Sequence, residues 1–162
     1  MIKYLTLITL CASSYLWGLD FSVGSGLHSV YAGRAVPIIY AGLIGENVAI
    51  TGHSSGVEST LAYQSTFQGN FFIRKIFGKL LWGNLSGGAG VGMVYSSRGF
   101  RIRPEHFATR ERDYNGGPVI RASWNLFFPV YLTIEAFFGI KSYNPLINSW
   151  QHSTVAVMEI RI

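Results

Sequence analysis

The 162-residue chain contains one cysteine, Cys11. A lone thiol excludes intramolecular disulfides and any Cys-based metal or redox motif. No run of about eighteen apolar residues occurs, which excludes a helical span of the inner membrane. Charged residues make up only 13% of the chain, about half the usual share. Such a chain is too poorly charged to present a fully solvated surface. Lys-rich runs and RNA-binding aromatic motifs are missing, and a net charge of +5 does not imply nucleic acid without them. Outside the stretch around His53 there is no Gly-x-Ser-x-Gly elbow, P-loop or paired-carboxylate motif. No pair among His28, His53, His106 and His152 has metal-ligand spacing, so neither a metal nor another cofactor is expected.

What the chain does have is aromatic residues, at 15%, and strict alternation. The clearest case is Pro118–Lys141. Ile120, Ala122, Trp124, Leu126 and Phe128 share one face, and Arg121, Ser123 and Asn125 share the other. Beyond Pro129, Leu132, Ile134, Ala136 and Phe138 alternate with Thr133 and Glu135. A turn at Phe128-Pro129-Val130 predicts an antiparallel hairpin with Leu126 opposite Leu132, Trp124 opposite Ile134 and Ser123 opposite Glu135. One face of this hairpin is wholly apolar and the other is polar. Arg121 and Glu135 are diagonal neighbours in that register. A soluble sandwich would point the apolar face at a core; a transmembrane barrel would point it at lipid.

Residues 1–18 read as a secretory signal peptide: Lys3, then the apolar run Tyr4–Cys11, then small residues at Ala12 and Ser14. The mature domain is residues 19–162, and strand patterns follow one another along it. They run over Leu19–Tyr31, Ala35–Ile44, Val48–His53, Val57–Phe67, Leu85–Ser97, the two arms of the hairpin, and His152–Ile162. Ser54-Ser55-Gly56 reads as a turn. Residues 69–84 fit either a longer fourth strand turning at Gly78-Lys79 or a surface helix, and Phe and Ile favour the strand. Residues 98–117 lose all periodicity and read as the longest loop, with a second loop near Ser142–Gln151. The fold class is therefore all-β: a single antiparallel, up-and-down transmembrane barrel of about eight strands, closed because lipid leaves no strand edge unpaired.

With its signal peptide, its eight alternating strands and its last strand ending on the apolar Ile162, the chain resembles the small eight-stranded outer-membrane barrels of Gram-negative bacteria. The resemblance covers residues 19–162. It implies a non-enzymatic protein of the outer membrane that contributes to envelope structure or surface contact. Its partners would be outer-membrane lipid, lipopolysaccharide and the barrel-assembly machinery, with no nucleic acid among them.

Three groups of residues are candidates for chemistry. An eight-stranded barrel has an interior just wide enough for side chains, so inward Arg121, Glu135, Glu159, Arg161, Glu58 and Asp20 must pair instead of lining a pore. Five arginines, Arg98, Arg101, Arg103, Arg110 and Arg112, outnumber the three acids Glu105, Glu111 and Asp113 in the 98–117 segment. Their planar forks suit the phosphates of lipopolysaccharide. Finally, His53-Ser54-Ser55 resembles the outer-membrane lipid A deacylase family, in which a His and a Ser two residues on, with a distant acid, attack an ester. That resemblance implies, as the alternative function, a barrel-embedded lipid A-modifying hydrolase using His53 and Ser55.

Overall fold

The computed structural model describes residues 18–30, 34–58, 62–103, 106–140 and 152–162. The signal-peptide segment and the Ser142–Gln151 loop therefore lie outside the described residues. Eight strands are formed: β1 (Asp20–Val30), β2 (Arg34–Ile44), β3 (Val48–Glu58), β4 (Ala62–Leu80), β5 (Gly83–Arg103), β6 (His106–Phe127), β7 (Val130–Phe138) and β8 (His152–Arg161). Each pairs antiparallel with its sequence neighbours, and β1 pairs with β8 to close the barrel. The seam is completed by reciprocal hydrogen bonds of 2.9 Å between Phe21 and Ile162. No edge remains where all eight strands run side by side, which is the condition for an apolar sheet exterior.

The expected alternation holds along the strands. Ile39, Ile50, Val91, Ile120, Ile134 and Met158 are exposed on the outside. Inside, Ile44, Ala49, Phe72, Val94, Val119 and Phe137 form one buried cluster, and Ile38, Tyr40, Val155 and Val157 form another. Glycines make room for these side chains. A Cβ at Gly92 would lie 2.3 Å from Asn70 Oδ1, and one at Gly90 would lie 1.8 Å from the Phe71 carbonyl oxygen. Both glycines are inward positions of β5 that its neighbour β4 leaves no space to substitute.

Several boundaries differ from the sequence reading. Ser54-Ser55-Gly56 is not a turn: it continues β3, pairing with β2 and β4. Small polar residues suit turns, but a strand of about 9–11 residues is needed to cross a bilayer, and β3 reaches 11 only by including them. Residues 69–80 are strand, and the chain turns at Leu81-Trp82, not at Gly78-Lys79. Gly78, at φ 132°, instead follows a bulge that leaves Phe77 unpaired between Ile76 and Gly78.

The 98–117 segment is not a loop. β5 and β6 run for 21 and 22 residues and stay paired through it, with Arg98 opposite Glu111 and Ser97 opposite Arg112. The two strands project past β7, whose nine residues match a single crossing. Residues 112–117 still alternate between exposed and buried, but the buried set is Asp113, Asn115 and Gly117 and the exposed set Arg112, Tyr114 and Gly116, so facing persists without an apolar–polar contrast.

The central hairpin has the predicted faces in a different register. Trp124 lies opposite Leu132, Ser123 opposite Thr133 and Arg121 directly opposite Glu135, with an irregularity between Asn125 and Phe127 and a tighter turn at Phe128-Pro129. The slip is two residues. Slips of two leave every side chain on its own face, so alternation alone does not distinguish them.

Candidate functional site

Direct opposition of Arg121 and Glu135 places the barrel's central ion pair. Arg121 Nη1 donates to Glu135 Oε1 at 2.6 Å, and Nη2 donates to Glu159 Oε1 at 2.8 Å. Arg161 Nη2 reaches the same Glu159 oxygen at 2.5 Å. The four side chains are buried. Two guanidinium groups against two carboxylates leave this cluster without net charge.

Buried charges persist only when their remaining lone pairs and protons are also satisfied. Here the neutral neighbours do this for both carboxylates, while Nε of Arg161 has no hydrogen-bond partner among the described residues. Glu135 accepts from Asn70 Nδ2 at 2.8 Å, from the Tyr40 hydroxyl at 3.1 Å and from Thr51 Oγ1 at 3.3 Å. Glu159 accepts from Ser22 Oγ at 2.5 Å and Thr133 Oγ1 at 2.6 Å. Arg121 also donates to the Tyr40 oxygen, and Arg161 lies over the Tyr131 ring at 3.7 Å. Strands β1, β2, β3, β4, β6, β7 and β8 all contribute, so the network ties the barrel together across its bore.

The structure thus brings together Arg121, Glu135, Glu159 and Arg161. Glu58 belongs to β3, but its side chain lies outside the described residues. Asp20 has inward parity yet sits exposed at the barrel end that carries Ile162. Sequence reasoning missed Tyr40, Thr51, Asn70 and Arg74. The first two share the even or odd parity of inward neighbours on their strands, a signal hidden in β2 by its nearly continuous apolar run. Arg74, part-buried, donates to the Gly45 carbonyl and to Ser86 Oγ at the Ile162 end.

His53 and Ser55 do share a face, the inward one, and both are buried. They do not form a nucleophile–base pair: the Ser55 hydroxyl lies 3.5 Å from Nδ1 of His28, not against His53. Both ring nitrogens of His53 and Nε2 of His28 have no hydrogen-bond partner among the described residues. Gly52-His53-Ser54-Ser55-Gly56 also spells Gly-x-Ser-x-Gly. That motif works as a strained strand-to-helix elbow, and here it runs through a regular strand with Ser54 on the outer face.

Arg98, Arg101 and Arg103 belong to β5, and Arg110 and Arg112 to β6. All five stand near the end opposite Ile162, and Arg112 is exposed. The side chains of the other four lie outside the described residues. Among the described residues no group of three or more His, Cys, Asp or Glu could hold a metal ion, and no helix is long and apolar enough to cross a membrane, which says nothing of crossing by strands.

No family model and no curated protein sequence matches the chain. Solved structures do. Ail, the attachment invasion locus protein of Yersinia pestis, is 12% identical, with 89% of this chain and 97% of Ail superposing at a TM-score of 0.52. Neisserial surface protein A is also 12% identical, with 89% of this chain and 94% of that protein superposing at a TM-score of 0.52. At that identity the likeness concerns architecture. The chain has the fold of the small, eight-stranded, all-antiparallel outer-membrane β-barrels.

Proposed function

We propose that this chain is an integral outer-membrane protein of a Gram-negative envelope, and that it acts without catalysis, as a structural and surface-contacting barrel that binds lipopolysaccharide. The observation that carries this reading is the inverted polarity: large apolar side chains cover the exterior while paired charges and hydroxyls fill the interior. Such an exterior is stable against lipid and not against water. The filled bore, with Phe72 and Phe137 beside the ion network, argues for a plugged scaffold over a diffusion channel.

Surface contact falls to the projecting β5–β6 hairpin. In the usual orientation of such barrels, short turns face the periplasm and longer excursions face outward. The turns at Leu81-Trp82 and Phe128-Pro129 lie at the Ile162 end, and the hairpin projects at the other. Its five arginines are the residues we assign to lipopolysaccharide phosphates, since the planar guanidinium suits phosphate through paired charge-assisted hydrogen bonds. Barrel-assembly machinery would deliver the protein to the membrane.

The test has two parts. Fractionation should place the protein with outer membranes, and unheated samples should migrate faster than heated ones, as closed barrels do. Replacing Arg98, Arg101 and Arg103 with Gln should then reduce lipopolysaccharide bound per barrel while preserving the gel shift, and Lys should restore only part of it. Equal binding by wild type, Gln and Lys variants would remove lipopolysaccharide contact from the account.

A further inference from the structure

The histidine pair in the upper bore is unused by the ion network. His28 on β1 and His53 on β3 are 2% and 1% exposed, and their ring centroids lie 5.0 Å apart at an interplanar angle of 75°. Three of their four ring nitrogens have no hydrogen-bond partner among the described residues, and the fourth, Nδ1 of His28, has only the 3.5 Å contact with Ser55 Oγ. A neutral imidazole offers one donor and one acceptor, and buried polar groups of this kind are almost always satisfied.

The neighbours that could satisfy them are engaged elsewhere. Across the ladders His53 is flanked by Tyr40 and Gln68. Tyr40 donates to Glu135. Gln68 gives one of its two Nε2 hydrogens to Asn70 at 2.9 Å and takes one on Oε1 from Ser153 at 3.2 Å, and it bonds to neither ring nitrogen of His53. His28 is flanked by Val36 and Val155, which have nothing to offer. Among the described residues, three of the four ring nitrogens are therefore left without a partner beside ladder neighbours that are bonded elsewhere or apolar.

We propose that His28 and His53 hold one divalent late-transition-metal ion, Cu2+ most tightly, with Ser55 as a neighbouring oxygen donor. Metal–nitrogen bonds of about 2.0–2.1 Å place two imidazole centroids about 4.5 Å apart at the right angle of a tetragonal Cu2+ site and about 5 Å apart at the tetrahedral angle. The observed spacing meets that, and the broad χ2 torsion of histidine lets each ring aim a nitrogen at the shared ion without leaving a rotamer well. Imidazole ligands suit Cu, Zn and Ni, and with only two of them the site has no geometry to impose. Preference then follows intrinsic affinity, with Cu2+ above Zn2+. The ion would enter from the end opposite Ile162, since His28 lies two residues from the end of β1 and Ser55, at 7% exposure, three from the end of β3.

The experiment uses the full barrel, folded in detergent, carrying no histidine tag and verified by its heat-modifiable gel shift. CuCl2 and ZnCl2 are titrated separately by calorimetry, and the Cu2+ form is examined by electron paramagnetic resonance. One Cu2+ should bind per barrel, more tightly than Zn2+, with hyperfine splitting from two nitrogens. His28→Gln and His53→Gln should each weaken Cu2+ at least tenfold, while His106→Gln and His152→Gln should not. The proposal is overturned by absence of stoichiometric binding, by binding that survives the double variant, or by dependence on His106 or His152. Should a Gln variant lose the gel shift, the wild-type spectrum still decides: a signal without two-nitrogen splitting refutes the pair as ligands, leaving it an edge-to-face packing contact.

Discussion

Glu159→Leu tests the interior network most severely. Glu159 is fully buried and takes hydrogen bonds from Arg121, Arg161, Ser22 and Thr133. Leucine fills similar space but leaves two guanidinium groups sharing the single carboxylate of Glu135. Arg121 keeps that partner at 2.6 Å, whereas Arg161 retains only Ser123 Oγ and the Tyr131 ring. Breaking a buried pair from one side costs about 3–5 kcal/mol, because a charge is stranded where water does not reach. Each ~1.4 kcal/mol is tenfold, so the unfolding equilibrium should shift by at least about a hundredfold. Glu159→Gln keeps an acceptor and loses the charge, and should fall between, at about 1.5–3 kcal/mol. Adding Arg161→Met to Glu159→Leu restores neutrality and should recover about 1 kcal/mol or more relative to the sum of the single changes. Reversible urea unfolding in phospholipid vesicles, followed by tryptophan fluorescence, measures all four. A Glu159→Leu barrel within about 1 kcal/mol of wild type, with no coupling to Arg161→Met, would mean the network is not what holds the interior.

Arg at the exposed, apolar Ile134 should cost roughly 2–4 kcal/mol in the same unfolding assay, if that position lies near the bilayer centre. The same substitution at Leu81, in the turn at the Ile162 end, should cost about 0–1 kcal/mol. Gly90→Ala should destabilise by about 1–3 kcal/mol through overpacking against the Phe71 carbonyl, whereas Gly56→Ala, with nothing within 4 Å, should be close to silent. His53→Ala and Ser55→Ala should leave lipid A acylation unchanged by mass spectrometry when expressed in a Gram-negative host. Loss of an acyl chain with wild type, cured by either substitution, would establish the hydrolase instead.

Strand identity and facing were legible because a barrel wall separates lipid from a polar bore, and every residue must choose a side. That is why Arg121, Glu135, Glu159 and Arg161 could be named as inward from period alone. What resisted reading has particular causes. The irregularity between Asn125 and Phe127 sets the hairpin register, and a two-residue slip carries no penalty in facing. In the β5–β6 projection Asp113 and Asn115 face inward and Arg112 and Tyr114 outward, so both faces carry polar residues and the period of two leaves no apolar–polar contrast to read. Tyr40 was hidden among apolar neighbours in β2, although it bridges Arg121 and Glu135. His28 and Ser55 are 27 residues apart and meet because β1 and β3 flank β2 and the sheet curls inward between them. Metal-ligand spacing along a sequence does not see such a pair.

The central claim is that one face of every strand meets lipid while the other is sealed inside. Strand β8 tests it most directly, since Thr154, Ala156, Met158 and Ile160 are exposed while Val155, Val157, Glu159 and Arg161 are buried. Single cysteines from Thr154 to Arg161, spin-labelled in vesicles, report collisions with oxygen, which partitions into lipid, and with a water-soluble nickel chelate. The account predicts a period of two, with even positions open to oxygen and shielded from nickel, and odd positions shielded from both. Nickel collisions at Ala156 and Met158 would show a barrel exterior in water, and nickel collisions at Val155 and Val157 would show an open bore; either result contradicts it.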